Sequence, residues 1–138
     1  MVTFSRIDQF HPSTSLGDAI TNDMLEIRRV LRDAGFGSEI FSHHVAPGLE
    51  RHVRELADYT PENGSLLIAH HSMGFNGFED VLALPCRKIL RYHNITPRHL
   101  LPNLHMQHYA EIGRRQLRDY AQHVEIGIGV SFRVGPKW

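Results

Sequence analysis

Short segments of strand length, one of them at 65–69 nearly unbroken in its apolar residues, alternate along this chain with longer stretches whose apolar residues recur at helical spacing. The runs at 3–9, 38–41, 65–69, 87–92 and 125–130 have the length of strands. Between the first two, Ile20, Met24, Ile27, Leu31 and Ala34 form a helical stripe, with Arg28, Arg29 and Arg32 falling largely off it. Asp18 is a good N-cap for that helix, and Gly35 and Gly37 end it. A second helix is predicted over 78–84, stopped by Pro85, and a third over about 105–120, with Tyr109, Ile112, Gln116 and Tyr120 on one face. The stretch after Pro47 and Gly48 reads either as a helix or as a short edge strand near 52–55.

Strands and helices in alternation predict an α/β fold: a Rossmann-like, doubly wound parallel sheet of five or six strands with helices on both faces. The run at 65–69 has the composition of a strand buried on both faces. Short right-handed crossovers place it beside the first strand, with the second strand on the other side. The loops 10–18, 70–77 and 93–97 then share one rim, the carboxyl ends of the strands, where open α/β sheets bind ligands. No repeat, low-complexity run or linker interrupts residues 1–138, so one domain is expected.

Composition narrows the picture mainly by exclusion. Fifteen basic residues balance fifteen acidic ones, which leaves no bulk electrostatic footprint for nucleic acid. Cys86 is the sole cysteine, so no intramolecular disulfide forms within the chain, and a reducing, cytoplasmic setting is expected. The first ten residues lack the basic-then-apolar pattern of a signal peptide, and no apolar stretch approaches the roughly 20 residues of a membrane span. Eleven histidines are many for this length. The adjacent pairs His43–His44 and His70–His71 cannot chelate from one strand face, however, and neither HExxH nor paired-cysteine spacing occurs. Neither a metal nor a cofactor is expected.

Three segments carry candidate chemistry. The loop HPSTSLGD brings Gly17 and Asp18 to a helix N-terminus, where backbone N–H groups and the helix dipole favour an anion. The same residues also read simply as a turn and its cap. The absence of GxGxxG, and of an acidic residue ending the second strand, argues against a dinucleotide. His70, His71 and Ser72 follow the buried strand; only one of the two histidines can point into a given layer, and that one with Ser72 reads either as a donor to substrate hydroxyls or as part of a solvated strand end. No GxSxG turn holds a nucleophilic serine. His93 and Asn94 end the run at 87–92, and Pro97 restricts Thr96 to extended geometry. A strand-end histidine on such a rigid loop suits positioning or proton transfer near neutral pH; the alternative is a solvated loop side chain. The arginines on the first helix and Arg114, Arg115 and Arg118 read as solvated helix faces.

Taken together, QFHPSTSLGDAITNDMLEIRRVLRDAGFGSEIF, LLIAHHSMG and PCRKILRYHNITP resemble the amino-terminal domain of the family-4-type, retaining GT-B glycosyltransferases over about residues 6–131. The resemblance implies the acceptor-side half of a hexosyltransferase that moves a sugar from a nucleotide-sugar donor to a hydroxyl acceptor without a metal. It implies that Gly17, with Asp18 beside it, belongs to the loop facing donor phosphates and acceptor. It places His71 and Ser72 on the acceptor side, and the catalytic His93, with Asn94, near the transferred sugar. The donor-binding domain of that family has no counterpart here, and SFRVGPKW departs from the family's continuation. A truncated chain, inactive alone and completed by a separate carboxyl-terminal half or by self-association, is therefore the expectation. A stand-alone α/β binding module without catalysis is the alternative.

Overall fold

The computed structural model describes residues 3–124 and 126–129. In chain order the elements are β1 (Arg6–Phe10), α1 (Ala19–Asp33), β2 (Ile40–Ser42), β3 (Arg54–Glu55), β4 (Ser65–His71), α2 (Phe78–Leu82), β5 (Arg87–Tyr92), α3 (Leu104–His123) and β6 (Ile126–Gly129). The strands form one Rossmann-like, all-parallel α/β sheet in the order β3-β2-β1-β4-β5-β6, of which β3 is only two residues. The chain divides into two compact units: residues up to Ala69 with Pro85–Lys88, and His70–Leu84 with the chain from Ile89 onward.

In the first unit β1 is an interior strand. It pairs in parallel with β2 through Gln9↔Ile40 and Phe10↔Phe41, and with β4 from Arg6↔Ser65 to Phe10↔Ala69. The chain leaves β1 for β2 on one side and arrives at β4 on the other, so the end of β1 is the point where strand order reverses. The expected neighbour relation of these strands holds, although β1 begins three residues later and ends one later than the apolar run. Asp8, buried within β1, pairs with Arg6 at 3.0 Å and accepts the Glu39 N–H at 2.9 Å. Met24, Ile40, Leu49 and Val53 make one core cluster of the unit.

Helix α1 departs from its expected stripe. Its buried residues are Thr21, Met24 and Arg28, whereas Ile20, Ile27 and Leu31 are half-buried. Arg28 therefore corrects the reading of a wholly solvated arginine face: its guanidinium bonds the His52 carbonyl and lies 3.1 Å from His52 Nδ1. Arg29 and Arg32 remain outside, in ion pairs with Glu26, Asp33 and Glu39.

In the second unit α3 begins one residue before the expected start and runs three beyond the expected end. Asn103 caps it by accepting the Met106 N–H. Its buried positions are Ala110, Gly113, Gln116 and Tyr120, so small residues carry half of the packing face. A Cβ on Gly113 would lie 2.6 Å from Gly74 N, and one on Gly74 would lie 2.5 Å from Tyr109 O, because the two backbones are in direct contact. Gly74 N–H donates to Tyr109 O at 2.9 Å across that contact. The Gln116 amide completes it, accepting from Phe75 N–H and donating to Phe75 O. Strands β5 and β6 pair in parallel from Ile89↔Ile126 to Tyr92↔Gly129. The outer residues of the last expected strand, Glu125 and Val130, and the tail 131–138 lie outside the described residues. Among the described residues no helix is long and apolar enough to cross a membrane.

Candidate functional site

The loop after β1 is built rather than slack. His11, Pro12 and Ser13 leave the strand alongside 42–46, the segment that leaves β2, and the two segments are laced together. Ser13 bridges His44 in parallel, Thr14 N–H donates to His44 O at 3.1 Å, and His44 N–H donates to Pro12 O at 3.2 Å. The buried Thr14 hydroxyl donates to the same His44 carbonyl at 3.0 Å and accepts from Ala46 N–H at 3.3 Å. Further along, the loop turns into α1. Gly17 has φ +77°, a left-handed conformation that glycine adopts without strain, and open space lies where a Cβ would project. Asp18 caps the helix, one carboxylate oxygen accepting both the Thr21 N–H (2.9 Å) and the Thr21 hydroxyl (3.1 Å). Ser15 N–H in turn donates to Thr21 Oγ1.

Electrostatics at this helix start differ from those of a bare phosphate cradle. The Asp18 carboxylate already occupies the positive end of the α1 dipole, so a second anion there meets like charge. A carboxylate beside an open glycine turn accepts hydrogen bonds, and sugar hydroxyls donate them. His11 opens the same loop and is buried. Its Nδ1–H donates to Ser13 O at 2.6 Å, which leaves Nε2 as the acceptor nitrogen of the ring. Burial pushes the His11 imidazole below its ordinary pKa; the Ser13 carbonyl and the Asp18 carboxylate oppose that shift. In the same unit an open cavity of about 300 Å³ is lined by a different set: Val45, Glu50, Val53, Arg54, Glu55 and Asp58.

In the second unit the end of β4 and the start of the loop after β5 meet. His93 N–H donates to His71 O at 2.8 Å, anchoring the backbone where the loop begins. Ile95 N–H donates to the Tyr92 hydroxyl at 3.0 Å and fixes the turn that follows. The two β4 histidines part company, as residues adjacent on a strand do. His71 lies wholly buried against Phe75 and Tyr120, and its Nε2–H donates to Gly113 O at 2.7 Å. His70, equally buried, sets Nδ1 2.7 Å from Nε2 of His93.

Of the residues expected to form a site, Gly17 and Asp18 stand together at the start of α1, Gly17 exposed and Asp18 half-buried. Ser72 and His93 are half-buried and Asn94 is exposed, all three following strand ends of the second unit. His71 is enclosed, with no exposed surface. The sequence reading passes over His11 as a site residue and offers His70 only as the alternative to His71. The signal for His11 was its place as the first residue after β1. For His70 there was only its adjacency to His71, because β4 is buried on both faces and strand parity cannot rank the two. Comparison with protein-family models, with curated proteins and with solved structures finds no match to this chain.

Proposed function

We propose that this chain is the acceptor side of a retaining hexosyltransferase of the GT-B type, the half that presents a hydroxyl-bearing acceptor to a sugar held as a nucleotide diphosphate by a second, donor-binding half. The observation that carries this reading is the loop at 11–18. It sits where strand order reverses in a parallel sheet, opens at Gly17, and offers the Asp18 carboxylate rather than a bare helix end. That chemistry favours hydroxyl donors over phosphate. In this proposal Gly17 lets the acceptor approach the backbone and Asp18 accepts from its hydroxyls. His93, held on a turn fixed by Tyr92, meets the transferred sugar. Retention rests on positioning the reactants and on stabilising the departing diphosphate, which preorganised groups do without a strong base.

The test uses the purified chain, a panel of uridine- and guanosine-diphosphate sugars, and a panel of mono- and oligosaccharides. Saturation-transfer NMR is expected to show saccharide binding that falls at least fivefold in Asp18→Ala and in His93→Ala, with no sugar transfer above the His93→Ala background. Nucleotide release above that background, or saccharide signals equal in the parent and both variants, overturns the proposal.

A further inference from the structure

Met24 and Arg28 stand four residues apart on α1 and so share one face of the helix. Met24 belongs to one core cluster with Leu49 and Val53, the buried residues of the segment 47–53 that leads into the edge strand β3. His52 lies within that segment, and its N–H, like that of Val53, donates to Leu49 O, at 2.8 and 2.9 Å. One helical turn beyond Met24, the Arg28 guanidinium reaches this histidine twice. One Nη donates to the His52 carbonyl, and the other lies 3.1 Å from His52 Nδ1. A guanidinium has five N–H donors and no acceptor, so Nδ1 accepts in that contact and the ring proton sits on Nε2. The two partners differ in access: Arg28 is 9 % exposed, whereas His52 stands at the surface.

We propose that Arg28 and His52 form a proton-sensitive latch: the neutral His52 ring clasps the segment 49–53 to α1, and the protonated ring lets it loosen. Protonation puts a hydrogen on Nδ1, the atom that has to accept, and a second positive charge 3.1 Å from the guanidinium. A bond then becomes a meeting of two donors and two like charges. The surroundings do little to offset this. Among the described residues neither side chain is ion-paired to a carboxylate. Burial and the like charge of Arg32 on α1 push the Arg28 guanidinium below its ordinary pKa, opposed by Glu39 from the start of β2, and those two are paired with each other at 3.0 Å. The charges of the histidine's own segment are Glu50, which accepts the Gly48 N–H, Arg51, Arg54, set over the Phe41 ring, and Glu55. Since the latch holds only with a neutral ring, it opens as pH falls. What it releases is the approach to a two-residue edge strand, and Glu50, Val53, Arg54 and Glu55 wall the open cavity of about 300 Å³. Acidification therefore loosens that wall.

The experiment is NMR on the ¹³C,¹⁵N-labelled chain, titrated from about pH 7.5 to about pH 5. At the upper end His52 is expected as the Nε2–H tautomer, and Arg28 as two separate Nη resonances, because the bonds to His52 hinder rotation about Cζ–Nε. The two resonances merge with the same midpoint as the His52 ring's own titration, which separates this effect from that of any other histidine. Protection of the His52 and Val53 N–H groups, corrected for the intrinsic exchange rate, falls about fivefold over the same range. His52→Asn, whose amide oxygen accepts from Arg28 without titrating, keeps two resonances and full protection at both ends. Where that variant fails to fold, the parent's titration decides alone. A parent His52 protonated on Nδ1 at the upper pH, Arg28 resonances that ignore the His52 titration, or a loss of protection as large in His52→Asn as in the parent overturns the proposal. Neither residue belongs to the loop at 11–18, and no sugar is present, so the outcome is independent of saccharide binding.

Discussion

His11 illustrates how one side chain sets a condition on the whole protein. Its folded pKa is depressed by burial, with the Ser13 carbonyl and Asp18 only partly offsetting that effect, whereas in the unfolded chain it titrates near the ordinary value of about 6.5. Below that value the unfolded state binds the proton first, so the neutral ring's contribution is present above about pH 6.5 and is lost as pH falls through the folded pKa. Urea denaturation at pH 7.5 and pH 5.5 is expected to show the parent losing more stability on acidification than His11→Asn, which has no imidazole to protonate. An equal loss in the two proteins removes His11 as a cause. The histidines also mark where residue-level reading stops: alternation along β4 is legible, whereas the choice of His70 over His71 as the partner of His93 depends on β5 and α3, which are distant in sequence.

Element boundaries were most legible where the chain itself supplies punctuation. Strand β5 occupies 87–92 as read, with Pro85 before it and the His93–Asn94 step after it. Asp18 caps α1 as expected. Helix faces were less legible, for one physical reason. Periodicity weighs bulky apolar residues, but α3 docks through Ala110 and Gly113, whose value is that they take up so little room. Tyr109 and Ile112 are consequently only half-buried. In the same way the α1 stripe missed Thr21 and Arg28, which are buried because their polar atoms find partners. The glycine contact gives a sharp expectation. Gly113→Ala forces a methyl group against Gly74 N and is expected to cost roughly 3 kcal/mol, the upper end of overpacking penalties, read as a drop in unfolding free energy. A loss below about 0.5 kcal/mol, the size of an ordinary surface substitution, shows that the two backbones do not meet.

On the scale of the molecule, charge is balanced at neutrality, with an isoelectric point near 7.2 and eleven histidines in the sequence. The ordinary pKa of a free imidazole is about 6.5, whereas on the alkaline side Cys86 is the only side-chain type in the sequence with an ordinary pKa between that and about 10, and burial raises that thiol. Solubility of the folded chain is therefore expected to be lowest near pH 7, to rise steeply towards pH 5.5 and to rise only slightly towards pH 8.5. Polyethylene-glycol precipitation midpoints across that range check it, and a symmetric minimum contradicts it. Acidification thus favours dispersal while it weakens the fold through His11.

The meeting of Gly74 with Gly113 also reaches back to the gene. Every base change that replaces a glycine codon's residue by another amino acid installs a Cβ, and at either position that atom lands on the facing backbone. No conservative neighbour exists in the genetic code for these two sites, and a compensating change at one cannot make room for a side chain at the other, since what stands in the way is main chain. The pair can be inherited unchanged or lost with the helix packing it permits, so drift at the nucleotide level is confined there to silent third-base changes.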